Sequence, residues 1–227
     1  MLDLGVIWRN LPFLMIQGFL GFGNFAGGTL RLAIPAIILG FILGIFIGIG
    51  RLAPQRWIRV PATLYVEFFR GVPLVMVIFW IWIVVPIVLN RSIPEYSVAL
   101  AAFVIFEAAY LGEIVRAGIQ SVPRGQVEAA RSLGLGRRDE LRHVVLPLAL
   151  RLMVPPLTSQ YLNLVKNSSL AVAIGYPDLV SIANTTMNQT GQAIEGIAII
   201  MAVYLTVSLA ISAFMNWYNK HIALVER

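Results

Sequence analysis

Long apolar runs separated by short polar segments dominate this chain. Three runs contain no charged residue, and each reaches the roughly 20 residues that a helix needs to cross the hydrocarbon core of a bilayer. These runs are Leu32–Gly50, Gly71–Asn90 and Gly196–Asn219. The pattern therefore predicts three transmembrane helices without internal charges.

Two further runs, Tyr96–Gln120 and Val144–Val165, carry charges inside an otherwise apolar pattern. The first contains Glu107 and Glu113, and the second contains Arg151. Charged residues at membrane depth are tolerated where neighbouring helices or a wet cavity satisfy them. We therefore expect five spans, two of which face protein on one side.

The segments outside these spans are more polar. Leu4–Gly23 mixes apolar and polar side chains, which predicts an interfacial helix within an N-terminal interfacial or periplasmic segment, residues 1–28. The start of the chain lacks the basic region and cleavage site of a signal peptide. Between the last two spans, Leu170–Ala183 predicts a re-entrant or outer-surface helix and Asn184–Gln192 predicts an outer loop.

Composition agrees with a polytopic membrane protein. Of the 227 residues, 59% are hydrophobic and 12% are charged, whereas a soluble domain carries about 25% charged residues. The chain has no cysteine and two histidines, which excludes disulfides and disfavours a metal centre. We expect an all-α integral membrane protein, with residues 1–227 forming a single transmembrane domain of about five transmembrane helices.

The basic residues indicate the orientation, because cytoplasmic loops are enriched in lysine and arginine. Ten basic residues flank one set of span ends and four flank the other, which predicts an outside N-terminus and a cytoplasmic C-terminus. This asymmetry accounts for the net charge of +6 without a nucleic-acid partner. The two sets are Arg51, Arg56, Arg59, Arg124, Arg131, Arg137, Arg138, Arg142, Lys220 and Arg227, against Arg9, Arg31, Arg91 and Lys166.

The longest hydrophilic stretch, residues 121–146, is predicted to form two short helices around a glycine turn. Glu128-Ala129-Ala130 favours a helix, Gly134 permits a positive φ, and Pro147 suits the first turn of the following span. By composition alone, the stretch is equally well a basic loop or a docking element held off the membrane.

The spacing within this stretch resembles a known motif. The stretch reads Glu128-Ala129-Ala130, three residues, Gly134, nine residues, Val144, one residue and Leu146-Pro147. This spacing resembles the EAA loop, EAA-x3-G-x9-I-x-LP, of permease subunits of binding-protein-dependent ABC importers. Only Val144 departs from the motif, by a near-isosteric change. The runs Arg70–Leu74, 116–126 and Asn163–Leu170 are similar to segments of glutamate/aspartate and general L-amino acid permeases.

The resemblance implies a MetI-like ABC permease architecture in the bacterial cytoplasmic (inner) membrane, with residues 121–146 as a cytoplasmic helical coupling loop. The chain has no GxxxxGK[ST] motif, so it is expected not to be an enzyme and to bind no cofactor itself; ATP and Mg²⁺ would lie on partner subunits. The implied partners are two ATPase subunits, a second permease that is identical or related, an extracytoplasmic solute-binding protein and an amino acid. The implied coupling residues are Glu128, Ala129, Ala130, Ser132, Leu133, Gly134, Leu135 and Gly136.

A pathway for an amino acid needs polar groups of both signs in a low-dielectric site. Glu107 is one candidate, and its alternative is an internal pair with Arg70 or Arg151. Arg116 and Arg124 are expected to face the inner headgroups. Gly40, Gly44 and Gly48 repeat every four residues and predict close helix packing in keeping with a permease dimer.

Span four supplies the other candidates. Gln160, Asn163 and Asn167 share one face at helical spacing, and Lys166 suits an acidic substrate; the alternative is hydrogen bonding between helices with no ligand. The complete set for the pathway is Arg70, Pro73, Glu107, Gln160, Asn163, Lys166, Asn167 and Ser168.

Other functions remain open at this stage. The same machinery can carry histidine, glutamine, basic amino acids or opines. An ion-coupled secondary transporter would use Glu107 and Glu113 to carry protons, although five unequal spans show no internal inverted repeat. A membrane-embedded hydrolase needs an acid/base or metal constellation that the sequence does not offer.

Overall fold

The computed structural model describes residues 4–21 and 27–222, and these residues form helices and no strand. The first helix, α1, continues into a π-helical stretch at Leu14–Leu20, α7 into another at Leu141–Val145, and α8 into a 3-10 stretch at Ser168–Ile174. The helices are α1 (Leu4–Phe13), α2 (Thr29–Leu52), α3 (Arg56–Gly71), α4 (Leu74–Leu89), α5 (Glu95–Gln120), α6 (Arg124–Ser132), α7 (Arg137–Glu140), α8 (Leu146–Asn167), α9 (Leu179–Thr190) and α10 (Ala193–Ile222).

Among the described residues, three helices are long and apolar enough to cross a membrane, namely α2, α5 and the part of α10 at Ala193–Asn219. They confirm three of the predicted runs. The pair α3 and α4 forms a fourth candidate, bent by 106°. The bend falls at Val72 and Pro73, which are both extended, because a proline disfavours helical backbone in the residue before it.

This bend corrects the prediction for Gly71–Asn90. The run does not enter the membrane as one helix from Gly71; α4 covers only the 16 residues Leu74–Leu89, about 24 Å at 1.5 Å per residue. The helix α3 before it was not predicted at all. Its sequence alternates charged and apolar positions, and the basic residues at its start suggested only a polar connection.

The run Val144–Val165 is helical throughout, as predicted, and lies in the π-helical stretch Leu141–Val145 and in α8. At 22 residues α8 is about 33 Å long. It packs against α5 and α10, which fits the expectation that it faces protein on one side. Pro155 and Pro156 lie inside it without ending the helix.

A stripe of glycines joins α2 to α5. Ideal β-carbons at Gly40 and Gly44 would lie 2.9 Å from Glu107 Cβ and 2.7 Å from Leu111 Cβ, so the two backbones touch. Both helices advance by four residues between these contacts, which means that they run parallel. The predicted close packing is confirmed, but it lies within one chain. The bundle end where α2 and α5 finish is called the loop end below, and the opposite end the far end.

The stripe gives a packing prediction at Gly48. An added β-carbon there lies 2.7 Å from the Gly112 carbonyl oxygen, whereas one at Gly50 on the same helix lies 3.4 Å from Ala62 Cβ. We expect Gly48→Ala to destabilise the protein by about 1–3 kcal/mol through overpacking and Gly50→Ala to have a smaller effect. Thermal unfolding in detergent measures both, and equal melting temperatures would contradict the close contact.

The N-terminal helix packs on protein. The predicted helix in Leu4–Gly23 is present up to Leu20, and Leu14 and Phe19 are buried in a cluster with Leu179 and Ile199. It is therefore covered on one face by α9 and α10 rather than by lipid alone. Phe22 and Gly23 lie outside the described residues.

A set of hydrogen bonds staples the start of α2 to the segment before α9 at the far end. The Gly28 N–H donates to the Pro177 carbonyl at 2.9 Å, and the Tyr176 hydroxyl donates to the Gly28 carbonyl at 2.9 Å. The Leu179 N–H donates to Thr29 Oγ1 at 3.4 Å. These bonds hold together residues that are about 150 positions apart in sequence.

The short helix predicted between the last two spans is real but shifted. Asp178 caps α9 by accepting the Ser181 N–H at 2.8 Å, as its place near the positive helix end suggested. The helix runs on to Thr190, so the prediction of a loop over Asn184–Gln192 is wrong. Threonine hydroxyls that donate to carbonyls four residues earlier accommodate this polar sequence in the helix.

Candidate functional site

Residues 121–146, for which the resemblance implies a coupling role and which are called the coupling loop below, form the predicted pair of short helices around a glycine turn. After α6, Gly134 adopts φ +79° and its N–H donates to the Arg131 carbonyl at 2.9 Å. The Leu135 N–H donates to the Ala130 carbonyl at 3.2 Å. This is a glycine-terminated helix end, and a β-carbon at Gly134 would be strained by its backbone angle.

The turn divides the motif residues into an inner and an outer group. Ala130 is buried, while Glu128 and Ala129 on the same helix are exposed. Leu133, at the tip, is 83% exposed. The remaining motif positions form the turn: Ser132, whose hydroxyl donates to the Glu128 carbonyl at 3.0 Å, and Leu135 and Gly136 after Gly134.

An ion pair braces the two helices of the loop. Arg131 Nε donates to Glu140 Oε2 at 2.8 Å, and its Nη2 donates to Glu140 Oε1 at 3.2 Å. This two-point geometry is the strongest form of an arginine–carboxylate pair. The hydrogen bond from Arg131 holds the pKa of the Glu140 carboxyl below its usual range, so the pair favours the ionised form.

The direction of this shift predicts the pH dependence of the loop. A carboxyl whose pKa is lowered in the folded state stabilises the fold at pH above about 4.3, its ordinary value. The stabilisation is lost as the pH falls through the lowered pKa. We expect a carbon-13 NMR titration of the Glu140 carboxyl to give a midpoint below that value and to return to it in Arg131→Gln. The same midpoint in both proteins would contradict the brace.

A buried carboxylate lies between α5 and α8. The Gln160 Nε2 amide donates to both Glu107 carboxylate oxygens at 3.0 Å each, and the Glu107 side chain is fully buried. The predicted alternatives, pairs with Arg70 and Arg151, are both wrong. The Arg70 guanidinium lies 5.4 Å from the centre of the Tyr110 ring, and Arg151 is exposed.

The other pathway candidates do not converge on Glu107. On α8, Asn163 and Lys166 are exposed and Asn167 is partly buried, so the predicted polar face divides into a buried and an exposed part. The buried Ser168 hydroxyl donates to the Val165 carbonyl at 2.7 Å. Pro73 lies at the bend between α3 and α4.

Sequence reasoning missed one ionic cluster at the loop end. Arg116 Nε donates to Glu113 Oε2 at 2.9 Å, so this arginine, which was expected to face the headgroups, is paired within the bundle, whereas Arg124 is exposed. Arg51 of α2 also binds Glu113, and its Nη2 donates to Glu67 Oε1 at 3.0 Å. The spacing of Glu113 and Arg116 at i and i+3 was the available signal for their pair.

An apolar groove opens between α3, α4 and α5. Its volume is about 530 Å³, and large side chains such as Met76 and Trp80 are exposed along it. Within residues 4–21 and 27–222, no group of three His, Asp or Glu side chains is placed to hold a metal ion. The groove lining is Phe68, Phe69, Val72, Met76, Val77, Trp80, Ile81, Val84, Val85 and Ile105.

Comparison with known proteins identifies the family. Residues 36–224 match the family model described as the binding-protein-dependent transport system inner membrane component. The chain belongs to this family. The match confirms the resemblance found in the EAA spacing, and this inner membrane component has the multi-pass helical fold expected of it.

Individual relatives agree with the family. The chain is 37% identical over 208 residues to the glutamate/aspartate import permease protein GltJ of Escherichia coli, covering 86% of this chain and 85% of that relative. It is 54% identical over 134 residues to the general L-amino acid transport system permease protein AapQ of Rhizobium johnstonii, covering 59% of this chain. There the chain spans 34%, about a third, of the relative's length.

A solved structure shares the architecture. The inner membrane component superposes with a TM-score of 0.87 and 30% identity on a chain from the crystal structure of an amino acid ABC transporter with histidines. The superposition covers 97% of this chain and 99% of that one. The fold class predicted from the sequence is therefore confirmed over nearly the whole chain.

Proposed function

We propose that this inner membrane component is the permease subunit of an ATP-driven, binding-protein-dependent amino acid importer. The observation that carries the proposal is the coupling loop. Its EAA spacing forms a braced two-helix knob whose tip carries an exposed leucine, Leu133. A knob of this shape, with an apolar tip, suits insertion into a groove of a partner protein.

The partner at this knob is proposed to be an ABC ATPase subunit, two of which would serve a permease pair and hold ATP and Mg²⁺. The exposed Glu128 and Ala129 lie on the outer face of α6, where small and charged side chains allow a close, oriented contact. Closure of the ATPase pair would then rock the helices as rigid bodies, which is the usual form of alternating access.

A second permease subunit, identical or related, is proposed to cover the apolar groove. The groove exposes Met76 and Trp80 beside the bend at Pro73. Between α5 and α8 the described helices pack around the Glu107 carboxyl group and its Gln160 partner, whereas the groove is open on the surface of the chain. The pathway is therefore proposed to lie between two permease subunits, with a solute-binding protein at the far end.

The cargo is proposed to be an acidic or broadly polar L-amino acid. The relative GltJ is by its name a glutamate/aspartate import permease, and AapQ serves general L-amino acid transport. On α8, the exposed Asn163 and Lys166 are proposed to face the pathway, while Gln160 and Glu107 hold α8 against α5. Lys166 would neutralise the extra carboxylate of an acidic substrate.

This assignment gives a test of selectivity. We expect Lys166→Gln to lower uptake of glutamate and aspartate relative to glutamine by about 5- to 150-fold, the range for a lost charge-assisted hydrogen bond of roughly 1–3 kcal/mol. Competition uptake in proteoliposomes measures the ratio. Arg91→Gln, which removes an exposed cation of the same charge from the far end, is the control. An unchanged ratio in Lys166→Gln would assign that lysine a structural role.

The orientation is proposed to follow the charge asymmetry, with the N-terminus outside and the loop end in the cytoplasm. The parallel arrangement of α2 and α5 supports this, because it brings Arg56 and Arg59 after α2 to the same end of the bundle as the coupling loop. Labelling of single cysteines placed at residues 58 and 125 should be blocked in intact cells and restored after permeabilisation.

Isolation of the chain from its own membranes in mild detergent tests the function as a whole. We expect stoichiometric ATPase subunits and a permease partner to be present, and ATP-dependent amino acid uptake after reconstitution with the solute-binding protein. A chain that accumulates amino acids in response to a proton gradient, without an ATPase, would overturn the proposal in favour of a secondary transporter.

A further inference from the structure

Four charged side chains from three helices meet at the loop end, away from the coupling loop itself. Glu113 of α5 is the centre of this cluster. Its Oε2 accepts hydrogen bonds from Arg116 Nε, at 2.9 Å, and from Arg51 Nη1, and its Oε1 accepts one from Arg116 Nη2 at 2.5 Å. Arg51 then reaches Glu67 of α3 at 3.0 Å. One carboxylate therefore ties α5 to α2 and, through Arg51, to α3.

Glu113 and Arg51 are more deeply buried than Glu67, the outer member of the cluster. The Arg51 side chain is 9% exposed and that of Glu113 is 21% exposed, whereas Glu67 is 62% exposed. Salt weakens exposed ion pairs and affects buried ones much less. The link between α2 and α5 is thus the strong one, and removal of the Glu113 charge leaves two arginines with only an exposed carboxylate to balance them.

The cluster is continuous with the coupling loop. Arg116 also donates to the Gln120 side chain, one turn further along α5 and at its last residue. The helix α6 begins four residues later, at Arg124, and Val122 between the two helices is buried with Val145 and Met153. A short, packed connection therefore joins α6 to the last turn of α5, where the Arg116 guanidinium links Gln120 to Glu113.

We propose that Glu113 is a positioning residue that joins the loop ends of α2 and α5 into one lever, so that movement of the coupling loop shifts both helices together. This inference rests on the proposed function, because it assumes that an ATPase moves the loop. Without Glu113, α5 would follow the loop while α2 lags behind, and ATP would be hydrolysed with less transport.

The test measures ATP hydrolysis and amino acid uptake together, in proteoliposomes that contain the complete complex. In Glu113→Gln we expect the number of ATP molecules hydrolysed per amino acid transported to rise about three- to thirtyfold, the range of coupling effects seen for residues between sites. The matched control is Glu67→Gln, which removes the exposed carboxylate of the same cluster and should leave the ratio within about twofold.

A second variant separates coupling from folding. Arg51→Gln combined with Glu113→Gln removes both members of the link and leaves no uncompensated buried cation, so it is expected to assemble even if Glu113→Gln alone does not. Its ATP-to-transport ratio should stay raised. If either variant keeps the wild-type ratio, or loses hydrolysis and transport in equal proportion, the proposal is overturned. A wild-type complex that fails to couple uptake to ATP would instead refute the proposed function.

Discussion

Gln160→Leu is expected to destabilise the protein more than any other single substitution considered above. It leaves the fully buried Glu107 carboxylate without the amide that donates to both of its oxygens. A buried carboxyl group that loses its hydrogen-bond partner costs up to about 3 kcal/mol. For a chain of this length, that corresponds to a melting temperature lower by roughly 6–12 °C, which thermal unfolding in detergent will show.

Two further variants serve as controls for Gln160→Leu. Asn163→Leu changes an exposed amide on the same helix and should stay within about 0.5 kcal/mol of wild type. The double variant Glu107→Leu/Gln160→Leu removes donor and acceptor together and should recover most of the loss. If Gln160→Leu melts like wild type, Glu107 is satisfied by another group and does not hold α5 to α8.

The largest functional effect is expected from Leu133→Asp. A leucine that is 83% exposed at the tip of a braced knob contributes almost nothing to the fold, so the protein should insert and fold normally. If the tip enters an ATPase groove, a buried carboxylate there costs at least about 2 kcal/mol of binding, a loss of roughly thirtyfold. ATP-driven uptake by the reconstituted complex should fall accordingly.

Leu141→Asp is the matched control, because Leu141 is a second exposed leucine of the coupling loop. It lies in the π-helical stretch Leu141–Val145 and not at the tip. We expect it to keep uptake within about threefold of wild type. Pull-down of the ATPase subunits should fail for Leu133→Asp and succeed for Leu141→Asp. Normal uptake in Leu133→Asp would show that the tip does not carry the coupling contact.

The sequence predicted the coupling loop well because local chemistry determines it. A positive φ is cheap at Gly134, and the alanines before it favour a helix; the structure has φ +79° at that glycine. The long uncharged runs were equally clear, because the membrane imposes a length and a polarity on each helix. The proline at position 73 indicated a bend, but the uninterrupted apolar pattern around it predicted a single helix.

The partners of buried charges could not be predicted in the same way. Glu107 binds Gln160, which lies 53 residues away, and only the packing of α5 on α8 determines that pairing. The helix α9 shows the opposite difficulty. Its polar second half suggested a loop, yet hydroxyl groups of Thr185, Thr186 and Thr190 bond back to the helix itself, so a polar composition did not mean an irregular backbone.

The far-end staple has a consequence for the order in which the protein is made. The Gly28 carbonyl accepts a hydrogen bond from the Tyr176 hydroxyl, which is synthesised 148 residues later. At about 5–20 residues per second, a ribosome needs roughly 7–30 s to supply that partner. During this interval α2 and α5 are already synthesised and can pack through their glycines, while the N-terminal helix has neither α9 nor α10 to cover it. We therefore expect the chain to assemble from its middle outward, with its first helix among the last to pack.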